Sequence, residues 1–347
     1  MPLDRRQFLH LAAQSAAAGA FSNSLLSPQS ASAAMPDPFA RLDGIALAQK
    51  IAKGDATALE VLDAAIARIE RLNPKINAVV TTDFDRARSR ARENKFQGPF
   101  AGVPYLVKDL SDFAGLRTTK GSRAMLGNIA DKTDVYVQAC VDAGMNVVGK
   151  SNTPEFGMSC TTESLALGPC YNPWDLVRSA GGSSGGAAAA VASGMVPIAQ
   201  GSDSGGSIRI PASCCGVFGL KPSRGRMIGS SDAFGFATRG VLTRSVRDSA
   251  HALAATERPQ PAPGLKPVGL VKEPSKRRLT IGLYLKGEYG VEPEPEVADA
   301  VMATARLCEE LGHKVRTAQI RFDAAISKDY HIVQSRKSAR NIEDLEK

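Results

Sequence analysis

The chain has 347 residues, 43% hydrophobic and 22% charged. Folding such a length buries roughly 75% of the surface its unfolded form exposes, which excludes a disordered tail, a disulfide mini-protein and a collagen-like fibre. Forty-three basic against 35 acidic side chains give +8, but the basic residues are scattered and only one Trp and six Tyr accompany them. This reads as a solvated surface rather than a nucleic-acid footprint.

Residues 1–34 read as an address. Arg5-Arg6 is followed by a mildly apolar Ala, Gly, Ser and Leu run to Leu26, then by Ala31-Ser32-Ala33, a small-residue cleavage pattern. The combination resembles a twin-arginine export signal, so the mature chain is expected in the periplasm or secreted. Beyond it no stretch approaches the ~20 apolar residues of a membrane span, so a soluble protein without a membrane anchor is predicted.

Thr57-Ala58-Leu59-Glu60 is a capping box, and the periodic run to Leu72 predicts a helix that Asn73-Pro74 ends. A strand is predicted over 76–81, a charged surface helix over 83–94 and an apolar strand over 103–108. A helix over 134–143 and a strand over 146–149 follow. Residues 186–192 form a nearly pure alanine helix, and 196–199 and 217–220 read as buried strands. After a Pro-rich connection (259–274) come a strand over 279–285, a helix over 295–311 and a strand over 314–320. Strands alternating with helices predict an α/β fold, a sheet covered by helices on both faces. One large domain over 35–330 is expected, with 331–347 an atypical tail lacking a strand pattern.

Six cysteines, Cys140, Cys160, Cys170, Cys214, Cys215 and Cys308, are compatible with disulfides in an exported protein, but sequence assigns no pairs. Cys160, Cys214 and Cys215 read as core packing. The four histidines lie at no ligand spacing from one another, so no metal or other cofactor is expected.

Glycine is dense between 181 and 240. Gly181-Gly182-Ser183-Ser184-Gly185-Gly186 and Asp203-Ser204-Gly205-Gly206-Ser207-Ile208-Arg209 place hydroxyls in loops where main chain can approach a ligand. A phosphate-binding P-loop pattern is absent. Either loop alone reads as a tight turn. Both together, with Ser183 and Ser207 separated by 24 positions, point to a serine nucleophile beside a nest of backbone N–H groups. Such a serine needs a base, and no histidine lies beside a glycine-rich or strand-end motif. Lys108, ending the apolar strand Val103-Pro104-Tyr105-Leu106-Val107, is the alternative, because burial disfavours the charged amine. Alone it would read as a snorkelling side chain.

These residues carry a family resemblance. Gly102-Val103-Pro104 with Val107-Lys108-Asp109, then Gly149-Lys150-Ser151-Asn152-Thr153-Pro154-Glu155-Phe156-Gly157-Met158, then both serine loops, resemble the amidase signature family from about residue 40 to about 320. The resemblance implies a mixed, twisted sheet wrapped by helices and hydrolysis of carboxylic amides to acid and ammonia or amine. It implies Ser207 as nucleophile, Ser183 on a cis peptide as bridging residue and Lys108 as base. Ser204, Gly205, Gly206 and Ser207 would hold the oxyanion, and Met158, Ser159 and Ser183 would line the substrate. Ser184 would support the relay, and Asp203 and Arg209 would orient the second loop.

The expected partner is a small-molecule amide, not nucleic acid, and a homodimer is compatible with the pattern. Family members are commonly longer, so a chain missing the C-terminal part of the fold is the reading here. The rivals are the glutaminase subunit of a tRNA-dependent amidotransferase, which an export signal contradicts, and a catalytically dead binding or assembly protein. Retention of Lys108, Ser183 and Ser207 speaks against the latter.

Overall fold

The computed structural model describes residues 37–229, 236–287, 290–320 and 324–343. The export pattern of residues 1–34 lies outside them. The elements run α1 (Gly44–Lys53), α2 (Ala58–Ile76), β1 (Val79–Thr82), α3 (Phe84–Glu93), β2 (Pro104–Lys108), α4 (Val135–Asp142) and β3 (Asn146–Ser151). Short strands β4 (Glu163–Ser164), β5 (Gly168–Pro169), β6 (Tyr171–Asn172) and β7 (Asp175–Ser179) form two hairpins before α5 (Gly185–Ala192) and β8 (Ile198–Asp203). Then come α6 (Arg209–Cys215), β9 (Phe218–Gly219), β10 (Thr238–Thr243), α7 (Val246–Thr256), β11 (Thr280–Leu283), α8 (Pro295–Glu310), β12 (Lys314–Thr317) and α9 (Ala324–Glu343).

The central sheet has six strands in the order β1-β3-β2-β8-β10-β9. β2 pairs in parallel with both β3 and β8, whereas β1, β10 and β9 join antiparallel, so the sheet is mixed as expected. Successive side chains of a strand face opposite ways, and each central strand divides its residues between two cores. Leu106, Val148, Ala199 and Leu242 join α2, α3 and α5 on one face. Tyr105, Val107, Val147, Ile198 and Val241 join α1, α4 and α7 on the other. Double coverage is why β2 reads as an unbroken apolar run. Between α1 and α7, the buried Asp248 carboxylate accepts hydrogen bonds from Gly44 and Ile45 N–H at 2.7 and 2.9 Å. Burial pushes this carboxyl up to about 6.

Several local expectations change. α2 continues past Pro74 to Ile76, because Ile76 is buried and Asn77 caps the end in a left-handed conformation. The Asn73 amide also clamps Val79, donating to its carbonyl and accepting from its N–H, both at 2.8 Å, so β1 begins at Val79 rather than at 76. The segment 217–220 is not a buried strand: only Phe218–Gly219 pairs, at the sheet edge, and Leu220 is exposed. The boundary placed at 330/331 falls inside one helix, α9. The strands predicted near 280 and 315 form a separate two-stranded parallel sheet. Among the described residues, no helix is long and apolar enough to cross a membrane.

α5 owes its position to absent side chains. Gly186 brings backbone against backbone: a Cβ there would overlap Asn152 N and lie 2.6 Å from Ala78 O. Helix propensity alone would have Gly186→Ala stabilise by ~1 kcal/mol. The contact reverses the sign, and urea unfolding should show a loss of about 3 kcal/mol or more.

Candidate active site

Lys108 is the last residue of β2, and its side chain is 1% exposed. Its ammonium position is fixed from the strand outward. The Lys108 N–H donates to Gln200 Oε1 at 3.0 Å, and Gln200 Nε2 donates to Ser111 Oγ at 3.0 Å, tying β2 to β8. The Lys108 Nζ donates to Ser183 Oγ at 2.7 Å, to Ser184 Oγ at 2.9 Å and to Ser202 Oγ at 3.3 Å. A buried amine thus meets three hydroxyls, the arrangement that makes its burial tolerable.

The Gly181–Ser184 loop is held by threonines: Thr162 Oγ1 donates to Gly181 O at 2.8 Å and Thr153 Oγ1 to Ser183 O at 3.0 Å. The Gly182–Ser183 peptide is cis. Ser184 N–H donates to Ser207 O at 3.1 Å, joining the two serine loops. Ser183, Ser207, Ser204 and Gly205 line one cavity of about 600 Å³. Among the described hydrogen bonds, Lys108 reaches Ser183 directly, while none links the Ser183 and Ser207 hydroxyls.

Asp203 organises the second loop from its buried end. Its carboxylate accepts from Gly206 N–H at 2.8 Å and Ile208 N–H at 3.2 Å, and Arg209 grips it with Nε and Nη2, each at 2.9 Å. Burial alone would raise the Asp203 carboxyl. The bonds from Arg209, Ile208 and Gly206 outweigh it and hold the group below its ordinary range. This corrects one expectation: the Gly206 N–H is engaged by Asp203 and is not a donor for an anion. Among the described residues, the N–H groups of Ser204, Gly205 and Ser207 have no acceptor.

Met158 lines the same cavity, as does Ser159, whose hydroxyl also contacts Thr161 at 3.1 Å. The cysteines depart from expectation. Cys160 is exposed and lines the cavity, and Cys214 is exposed on the outer side of α6. Of the three read as core packing only Cys215 is buried, while Cys140 and Cys170 also pack in the cores, and all six thiols are free. Among the described residues no group of His, Cys, Asp and Glu is arranged to hold a metal.

Sequence reasoning missed a buried layer beneath the site. Lys150 on β3, fully buried, donates to Thr118 Oγ1 at 2.8 Å and to Ser111 O, and lies 3.7 Å from Asp109 Oδ1. Burial pulls the Lys150 amine down to about 8, against the opposing pull of Asp109, and raises the Asp109 carboxyl. Asp109 in turn receives Thr119 N–H and hydroxyl. The signal was present, since Gly149-Lys150 and Lys108-Asp109 both place charge in apolar runs. Tyr330, in the segment read as a tail boundary, also lines the cavity, its hydroxyl against Gly205 where any Cβ would clash.

Because its carboxyl is held low, Asp203 contributes fully above the ordinary value of 3.8, and the contribution is lost as pH falls through its lower folded value. In amide hydrogen exchange at neutral pH, Asp203→Ala should speed exchange at Gly206 and Ile208 by about tenfold or more. The wild-type chain should show the same increase only under acid conditions below that value.

Comparison with known proteins shows the family of the chain. The family model described as Amidase matches residues 60–345. The chain is 41% identical over 283 residues to the putative amidase AmiC of Mycobacterium leprae (strain TN), covering 80% of this chain and 60% of that protein. It is 40% identical over 322 residues to the 6-aminohexanoate-cyclic-dimer hydrolase of Paenarthrobacter ureafaciens, covering 87% of this chain and 64% of that one. The solved structure of 6-aminohexanoate cyclic dimer hydrolase complexed with substrate superposes with a TM-score of 0.73 at 38% identity, covering 80% of this chain and 60% of that one. The chain therefore spans less than two thirds of the length of these relatives. A matching family model over most of its length, the mixed sheet and these relatives together make the chain a member of the amidase signature family.

Proposed function

We propose that this protein hydrolyses the C–N bond of carboxylic amides through an acyl-enzyme on Ser207. The observation that carries the reading is the 2.7 Å bond between buried Lys108 Nζ and Ser183 Oγ, at the wall of the cavity that Ser207 also lines. In its amine form Lys108 accepts a proton from Ser183, which in turn takes the proton of Ser207 as its Oγ attacks the amide carbon. The Ser183–Ser207 link is one that general-base sites often tighten only when substrate is bound. The developing oxyanion falls to the N–H groups of Ser204, Gly205 and Ser207, and losing one such donor typically costs about 10²–10³ in rate. Collapse breaks the C–N bond, and the departing nitrogen takes its proton from Ser183. Lys108 then reprotonates Ser183. Water attacks the Ser207 ester while passing its proton through Ser183 to Lys108, and that proton returns through Ser183 to Ser207 Oγ as the acid is released. Ser184, the second hydroxyl on Lys108, keeps the amine aimed, and Met158 and Ser159 border the amide.

A fluorophosphonate probe should modify Ser207, as located by peptide mass spectrometry. Ser207→Ala should abolish labelling, and any amidase activity should fall by about 10⁴-fold or more. Labelling that persists in Ser207→Ala, or that maps to another residue, removes the mechanism.

The same proposal places the protein outside the cytoplasm. Arg5-Arg6, the mild apolar run and Ala31-Ser32-Ala33 support twin-arginine export. A reporter fused behind residues 1–34 should reach the periplasm, and replacing both arginines by lysine should block delivery. Undiminished delivery refutes the assignment.

A further inference from the structure

Four described non-glycine residues have a left-handed backbone: Asn77, Asn94, Lys120 and Phe156. The two asparagines are helix C-caps, where that conformation is expected. Lys120 (φ 51°) and Phe156 (φ 49°) cap nothing. They are bonded to each other, Phe156 N–H donating to Lys120 O at 2.7 Å, and both line the catalytic cavity. Strain of this kind persists only where surroundings over-determine it, and an observed outlier points toward function.

The surroundings of Lys120 are over-determined. Its N–H donates to Asp109 O at 3.0 Å, and the Asp109 carboxylate receives Thr119. Thr119 Oγ1 accepts Gly121 N–H at 3.0 Å, and Ser164 Oγ donates to Gly121 O at 2.6 Å. The residue after the base Lys108 thus presents a second lysine to the same cavity.

The charge balance of the wall gives that lysine a purpose. Lys120, Arg239 and His331 line the cavity, and no Asp or Glu does among the described residues. Arg239 is already offset, its Nη2 lying 3.3 Å from Asp134 Oδ2 and its Nη1 donating to Ser111 Oγ at 3.2 Å. Among the described residues no carboxylate lies within ion-pair distance of Lys120. Beside it Phe156, with Leu110 and Met158, supplies apolar surface. A cation without a counter-charge next to an apolar wall suits a ligand with a short hydrocarbon chain and an anionic end.

We propose that Lys120 and Phe156 form the specificity element of the site, and that the amide they select carries a carboxylate. This rests on the amide-hydrolysis reading and adds the substrate class. The test measures initial rates of Ser207 modification by a neutral fluorophosphonate while ligands compete for the cavity. The ligands are the monoamides of succinic, glutaric and adipic acids, each paired with its neutral diamide. At least one monoamide should protect Ser207 at about one-tenth the concentration its diamide requires. Lys120→Met should erase that advantage, and Lys120→Arg should largely restore it. Equal protection by both members of every pair, protection by neither, or an advantage that survives Lys120→Met overturns the inference while leaving the Ser207 acyl-enzyme in place. A Ser207 that does not react with the probe removes the underlying reading and this inference with it.

Discussion

A primary amine with no access to bulk water must have its hydrogen-bonding capacity met by the protein, and in this chain that requirement organises everything around it. Lys108 Nζ is met by the hydroxyls of Ser183, Ser184 and Ser202, which come from the loop before α5 and from β8. Satisfying one nitrogen therefore fixes two segments relative to β2. The Ser184–Ser207 backbone bond extends the same constraint to the loop before α6. A loss anywhere in this set leaves a buried polar group unpaired, a larger penalty than the bond itself is worth.

Beneath that layer lies a second, equally buried one. Gln200 links Lys108 N–H to Ser111, and Ser111 also receives Arg239 while its carbonyl receives Lys150. Lys150 and Asp109 are both shifted toward their neutral forms by burial, so their pairing only partly offsets the cost of dehydrating them. Such a pair is weak evidence for stability. Its value here is geometric: Asp109 sets the backbone from Thr119 to Gly121, and with it the wall that faces the serines.

The cavity draws its residues from widely separated stretches, including Leu110, Lys120 and Phe156 before the first serine loop and Tyr330, His331 and Gln334 from α9. The phenol of Tyr330 occupies the space that a side chain at position 205 would need, so loop composition and helix position constrain each other. The Lys108 amine and the serine hydroxyls sit on β2, β8 and the α5 and α6 entrances, whereas Lys120, Phe156 and Tyr330 reach the cavity from loops and from α9. Variation in the second set can change what enters without disturbing the amine and its hydroxyls.

Legibility in the sequence followed locality. Short-range rules carried the Thr57–Glu60 capping box, the strand ending at Lys108, the alanine helix after the first glycine loop and the density of glycine and serine near Ser183 and Ser207. They faltered at Pro74, where a buried Ile76 and the Asn73 clamp outweighed a local stop signal. They also faltered at Cys160 and Cys214, whose exposure depends on what packs beside them. By itself the sequence determined which residues could do chemistry, because nucleophiles, base and flexible loops are properties of residue type and near neighbours. Only the tertiary structure decided which donors remain available, because Gly206 is consumed by Asp203 through a contact that depends on how the loop closes. It alone also brought Lys120 and Tyr330 to one wall, since contacts across more than two hundred positions are set by packing and leave no periodic trace in the chain.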